Sequence, residues 1–315
     1  MSILIKKISV TINFIFLFIF KFQACFMFVL KNNTKGILFI ISAVLCFSVM
    51  NGVTRYLSEF YNVITLNMFR YWFFAIFLVV INSNQESSII IVSKSKNRLL
   101  QVIRGSMLAI QMCFAHYCFL KLGLIETSAI FAVGPLIVTA LSIIFLNEKV
   151  GWKRLVAITF GFLGILIILR PGIKVFDPFS IVALICAFSY AIYQILTRFV
   201  SSFDSSDTSF FYTGITGAII LSFIGPFLYV DVLGYDWFLI LIICFLGTSA
   251  HYFVIKAYQF SEASILQPFN YLQLVFVSFI GVIIFNETLE IPILIGSAMV
   301  VSAGLFTFWR DSIKK

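Results

Sequence analysis

Charge is scarce in this chain. Only 11% of its 315 residues are Asp, Glu, Lys or Arg, where a soluble domain carries about a quarter. With 61% hydrophobic residues and a mean hydropathy of +1.08, a water-soluble fold is excluded and a polytopic membrane protein is implied. The six cysteines (Cys25, Cys46, Cys113, Cys118, Cys186 and Cys244) all fall in apolar stretches. Their spacing offers neither a disulfide framework nor a zinc site, so they read as small core- or lipid-facing residues. Acidic pairs, metal clusters and phosphate-binding loops are also missing, so no cofactor, metal or catalytic residue is expected. No run of alternating ten-residue strands points to a barrel, and no filter-like loop points to a channel. The formal net charge of +9 would suggest nucleic acid in a soluble protein. Here the bases gather in loops between apolar runs, so the partner they imply is the lipid bilayer and not nucleic acid.

What is present is apolar sequence in span-length pieces. A membrane helix needs about 20 residues. The first half reads as spans at Gly36–Tyr56, Val63–Ile81, Leu100–Leu120, Thr127–Leu146 and Leu155–Leu169; the second half has Pro178–Thr197, Ser209–Tyr229, Trp237–Ala257, Ala263–Phe285 and Ile291–Phe308. Residues 1–35 are an apolar and basic extension interrupted by Lys21. It reads as a peripheral helix or as sequence upstream of a natural start at Met27; a signal peptide without a cleavage site and an extra span are the alternatives. With residue 31 placed inside, thirteen Lys and Arg fall at cytoplasmic ends and four (Arg55, Lys121, Arg170, Lys174) at the other side. That bias puts both ends of the ten-span unit in the cytoplasm.

The halves, 36–170 and 171–315, repeat one another. Asn147-Glu148 after the fourth span matches Asn286-Glu287 after the ninth. Thr54-Arg55-Tyr56 matches Thr197-Arg198-Phe199, with Asn51 and Gln194 three residues before each threonine. Five spans is an odd number, so the second copy is expected upside down, the symmetry of alternating access. Both the fourth and the ninth span carry an internal proline, Pro135 and Pro268. A proline frees a carbonyl, which is tolerated in a membrane only where protein or a water-filled cavity re-satisfies it.

The ten-span count, the repeat, Phe69-Arg70, Arg104-Gly105, Pro135 with Phe145-Leu146-Asn147-Glu148, and Gly161 with Gly164 before Leu169-Arg170 together resemble the drug/metabolite transporter superfamily and, within it, the EamA family. The phrase Gln267-Pro268-Phe269-Asn270-Tyr271-Leu272-Gln273 is similar to the branch that includes riboflavin and S-adenosylmethionine uptake proteins, which usually has arginine where this chain has Asn270. The resemblance covers about residues 36–310. It implies an all-α membrane fold, a bacterial inner-membrane location, and secondary transport of a small organic solute, imported or exported. It also implies a central cavity lined by spans one to four and six to nine.

Within the spans, ionisable residues are costly and few. Arg70 has no intramembrane carboxylate as partner. It reads either as a cationic contact for a carboxylate or phosphate, or as a side chain snorkelling to helix-end carbonyls. His116 and His251, each followed by a tyrosine, read as hydrogen-bonded packing or as the remaining candidates for carrying a proton. Tyrosines and amides deep in a span need partners. Tyr190, Tyr193 and Gln194 on the sixth span and Gln267, Asn270 and Tyr271 on the ninth are therefore candidates for holding a flat, polar-edged solute. Tyr190 and Gln194 are four apart and so share a face, as do Gln267 and Tyr271. Ala157-xxx-Gly161 and Ala298-xxx-Ser302 leave both a monomer and a homodimer open. The rival class is an intramembrane serine enzyme built on Gly247-Thr248-Ser249-Ala250, with His116 as base, since His251 falls on another face of the same helix.

Overall fold

The computed structural model describes residues 32–83, 89–148, 151–169, 178–288 and 290–313. The leader lies outside the described residues. Every regular element in these segments is a helix. Besides a single helical turn at Ile89–Val92, the helices are α1 (Asn32–Leu57), α2 (Val63–Ser83), α3 (Arg98–Leu122), α4 (Leu124–Phe131), α5 (Gly134–Leu146), α6 (Trp152–Leu169), α7 (Pro178–Val200), α8 (Ser206–Ile224), α9 (Asp236–Phe260), α10 (Ala263–Asn270), α11 (Leu272–Phe285) and α12 (Ile291–Ile313). A helix or helix pair stands at each stretch expected to be a span. Six of these are long and apolar enough to cross a membrane: α1, α4 with α5, α7, α8 with its 3-10 extension to Leu228, α9, and α10 with α11.

Local chemistry sets the boundaries. Asn97 caps α3 by accepting from the Leu100 N–H at 3.1 Å, and Ser205 caps α8 by accepting from Thr208 N at 3.1 Å. Gly123, at φ +86°, breaks α3 from α4. Asn147 and Asn286 end α5 and α11 in the left-handed region, at φ 52° and 53°, a conformation asparagine tolerates better than most residues.

Large apolar side chains face outward, and polar ones are buried within the apolar core. Phe227, Phe223 and Phe279 are 86%, 73% and 68% exposed, whereas Asn67, Gln101 and Arg104 are fully buried. Only a lipid surround makes that distribution favourable, since each exposed phenylalanine in water would forgo a kcal/mol or more of burial.

The halves pack on each other reciprocally. Helix α1 lies on α9 as α7 lies on α3, α8 lies on α3 as α2 lies on α9, and α5 lies on α7 as α11 lies on α1, while α2 pairs with α8 and α6 with α12. Side-chain bonds sort the helix ends. Ser261 at the end of α9 reaches the carbonyl of Asn33 at the start of α1, and Arg198 near the end of α7 donates to Tyr258 O at 2.8 Å. At the opposite pole, Tyr61 before α2 donates to Asp236 at the start of α9 at 2.6 Å. Gly161 faces Ala303, so the first small-residue motif serves the α6–α12 contact; Ala298 and Ser302 are exposed.

Candidate functional site

A cavity of about 90 Å³ lies between α1, α3, the α4–α5 pair, α7 and the α10–α11 pair. It has room for several waters. Its rings are Phe47, Phe119, Phe131, Tyr190 and Tyr271, and its polar wall is Asn51, Gln111, His116, Ser128, Gln194, Asn270 and Gln273. Among the described residues no Asp, Glu, Lys or Arg lines it. None of the described residues of α2 or α8 lines it either, although the resemblance implied that those spans would. These two helices pack on each other, with α3 and α9 beside them.

Of the candidates read from the sequence, Pro135, His116, Tyr190, Gln194, Asn270 and Tyr271 line the cavity, whereas Arg70, Tyr193, His251, Gln267 and Pro268 do not. Tyr193 is buried behind Tyr190, the two rings stacked at 5.7 Å, with the Arg104 guanidinium 5.3 Å from its ring centre. Pro268 lies inside α10, and the helix breaks three residues later at Tyr271.

Gln194 and Asn270 reach the cavity from one hydrogen-bonded chain. Tyr258 Oη donates to Gln194 Oε1. Gln267 Nε2 shares its two hydrogens among Gln194 Oε1 at 3.2 Å, Tyr258 Oη at 3.0 Å and Ala263 O at 3.3 Å. Asn270 Nδ2 then donates to Gln267 Oε1 at 2.8 Å. Gln267 thus ties α7, α9 and α10 together from behind the wall, and Gln194 and Asn270 form the wall itself.

On α3 the polar atoms are less well served. Gln111 Oε1, His116 Nε2 and, on α4, Ser128 Oγ are buried without a hydrogen-bond partner among the described residues. Buried polar atoms in native proteins are nearly always paired; these three belong to residues that line the cavity, and ten further unpaired ones among the described residues lie away from it. His251 is enclosed by Phe47 at 5.1 Å and Phe74 at 6.4 Å. Neither of its ring nitrogens has a partner, and no serine bonds to either histidine among the described residues. The serine–histidine pairing of the enzyme reading is thus not formed. No group of three or more metal-ligating side chains occurs there either.

Two glutamates, read in the sequence only as marks of the repeat, have a defined job. Glu148, after α5, accepts from Ala263 N and Ser264 N, each at 3.0 Å. Glu287, after α11, accepts from Leu124 N at 2.8 Å and Ile125 N at 2.9 Å. Each carboxylate therefore caps the half-helix of the opposite repeat, where free N–H groups and the helix dipole favour an anion. Gly123 makes room: a Cβ there would lie 3.0 Å from Glu287 Oε1. Arg104 is held within the bundle by Gln101, Thr197, Thr213 and the Ser209 carbonyl. Gln101 in turn donates to Asp204 at 2.9 Å.

The sequence profile of the EamA-like transporter family matches residues 34–170 and again 178–309. The S-adenosylmethionine uptake transporter of Rickettsia prowazekii (strain Madrid E) is 24% identical over 284 residues, 90% of this chain and 95% of that protein. The riboflavin transporter of Vibrio cholerae serotype O1 is 29% identical over 292 residues, 88% of this chain and 94% of that protein. A solved crystal structure shares the fold, with a TM-score of 0.70 at 13% identity, over 86% of this chain and 96% of that one.

Proposed function

The chain belongs to the EamA-like transporter family, and from that premise we propose that it carries a flat, nitrogen-heterocyclic metabolite by alternating access through the cavity between α1, α3, α7 and α10–α11. S-adenosylmethionine is the first solute to test and riboflavin the second. The observation that carries this reading is the wall itself. Gln111 Oε1, Ser128 Oγ and His116 Nε2 are unpaired beside the rings of Tyr190 and Tyr271. A heterocycle stacked on a ring gains about 1 kcal/mol beyond area burial, and its edge groups satisfy polar atoms that are otherwise expensive to bury. The names of the relatives favour S-adenosylmethionine and riboflavin as uptake substrates. The absence of ionised side chains from the wall favours riboflavin, because an uncompensated charge is costly in such a site.

A cavity of about 90 Å³ is smaller than the several hundred Å³ that engulf a ligand of this size, so loading requires the halves to part. The reciprocal helix packing and the exchanged Glu148 and Glu287 caps support ten spans arranged as two inverted five-span repeats rocking about this cavity. The loop charges support cytoplasmic ends for the ten-span unit. Uptake of labelled S-adenosylmethionine and riboflavin by cells expressing the protein tests the reading. Saturable uptake of either, competed by its unlabelled form, is expected. Accumulation of neither above vector-only cells overturns the substrate assignment, and faster efflux from preloaded cells would show an exporter.

A further inference from the structure

Arg70, the buried cation on α2, lies off the cavity but is connected to it. Its Nη1 is 2.7 Å from the side-chain oxygen of Asn67. An arginine has donors only, so the atom facing it must be the amide oxygen, which fixes the orientation of the Asn67 amide. The amide nitrogen then has two hydrogens and two acceptors, Val63 O at 2.8 Å and His116 Nδ1 at 3.0 Å. His116 Nδ1 must therefore be the bare, accepting nitrogen, and the ring proton sits on Nε2. Nε2 is on the side of the ring away from Asn67, has no partner among the described residues, and belongs to a residue that is 1% exposed in the cavity wall. The arrangement also needs Gly247, where a Cβ would lie 2.8 and 2.9 Å from two guanidinium nitrogens.

We propose that Arg70 and Asn67 are positioning residues that lock His116 as an Nε2–H donor to the cavity, so that the transported solute must present a hydrogen-bond acceptor there: a carbonyl, a carboxylate or a bare ring nitrogen. The proposal rests on the cavity being the solute site. It assigns a role to Asn67, which no sequence pattern singled out, and makes Arg70 an organiser of the site without contact to the solute.

The chain has two histidines, so ¹⁵N-histidine NMR of the purified protein in lipid reads the lock directly, with His251→Phe assigning the signals. His116 is expected to show a protonated Nε2 and a bare Nδ1. Asn67→Asp keeps the shape but offers acceptors only, and is expected to move the proton to Nδ1. A wild-type His116 protonated on Nδ1, or one indifferent to Asn67→Asp in a protein that still folds, overturns the lock. In uptake of labelled S-adenosylmethionine, His116→Phe and Asn67→Asp are expected to raise the half-saturation concentration roughly tenfold or more with little change in maximal rate. His116→Gln, whose terminal amide keeps a donor near Nε2, is expected to recover most of the loss. His116→Phe transporting as wild type overturns the donor role. If the wild type takes up no S-adenosylmethionine, that substrate assignment fails, while the NMR result still decides the lock.

Discussion

Removing the Glu148 carboxylate should destabilise the fold by several kcal/mol. The side chain is 6% exposed and its two oxygens accept from Ala263 N and Ser264 N at 3.0 Å each. Hydrogen bonds to a charged group contribute about 1.5–3 kcal/mol each, and an anion at a helix N-terminus adds about 0.3–1 kcal/mol. Glu148→Ala forfeits both bonds and leaves two backbone donors unmet, so about 3–5 kcal/mol is expected after some fraying lets water reach them. Glu148→Gln keeps one acceptor and turns an amide N–H₂ toward the second donor, so about half that loss is expected. Arg198, 3.9 Å away, adds little at that distance. Glu287 makes the equivalent contacts at 2.8 and 2.9 Å, so its variants should show matching losses. Lys256 and Asp207 supply the control: their 3.4 Å contact is exposed on the aspartate side, and Asp207→Asn should cost under about 1 kcal/mol. Denaturant titration in mixed micelles, followed by tryptophan fluorescence, measures all of these. Glu148→Ala and Glu287→Ala unfolding at the wild-type midpoint would refute the capping argument.

Gly123→Ala should lower stability by about 1–3 kcal/mol in the same titration, because φ +86° with ψ 171° is a conformation essentially restricted to glycine and the new Cβ would lie 3.0 Å from Glu287 Oε1. Gln267→Leu should cost about 1–3 kcal/mol as well as transport, since it strips partners from Tyr258, Gln194 and Asn270; an unchanged melting curve would show that the network contributes nothing. Tyr271→Phe keeps the ring in the cavity wall and should leave stability nearly unchanged while altering solute half-saturation, read from concentration-dependent uptake. Arg104→Lys should destabilise by more than about 2 kcal/mol, because a single ammonium cannot replace a fork that reaches Gln101, Thr197, Thr213 and Ser209 O; the denaturant midpoint measures it.

Hydropathy made the helical stretches legible because length and apolarity are local properties. Tyr190 and Gln194 were legible as a shared face for the same reason: α7 runs unbroken through both, and both line the cavity. Gln267 does not line the cavity as Tyr271 does; it turns to Tyr258 and Gln194 instead, contacts that no local spacing encodes. The two Asn-Glu phrases were visible as a repeat, but their chemistry was not. Glu148 meets Ala263 across 115 residues, and nothing local says which helix end a carboxylate will cap. Asn67 was invisible because a single amide in an apolar run has no period; only its bonds to Arg70 and His116 give it meaning. Arg104, read in the sequence only within the Arg104-Gly105 phrase, is connected by the bundle to loop residue Asp204 through Gln101.

The central claim, that a solute passes through the cavity between α1, α3, α7 and α10–α11, is tested most directly by filling that cavity. Ala187 on α7 is 4% exposed and lines it. In proteoliposomes preloaded with unlabelled S-adenosylmethionine, the wild type should accumulate external labelled S-adenosylmethionine by exchange, and Ala187→Trp, inserted and folded to the same yield, should not exceed protein-free vesicles. Exchange by Ala187→Trp at the wild-type rate would contradict the account, because it would place the solute path outside this cavity.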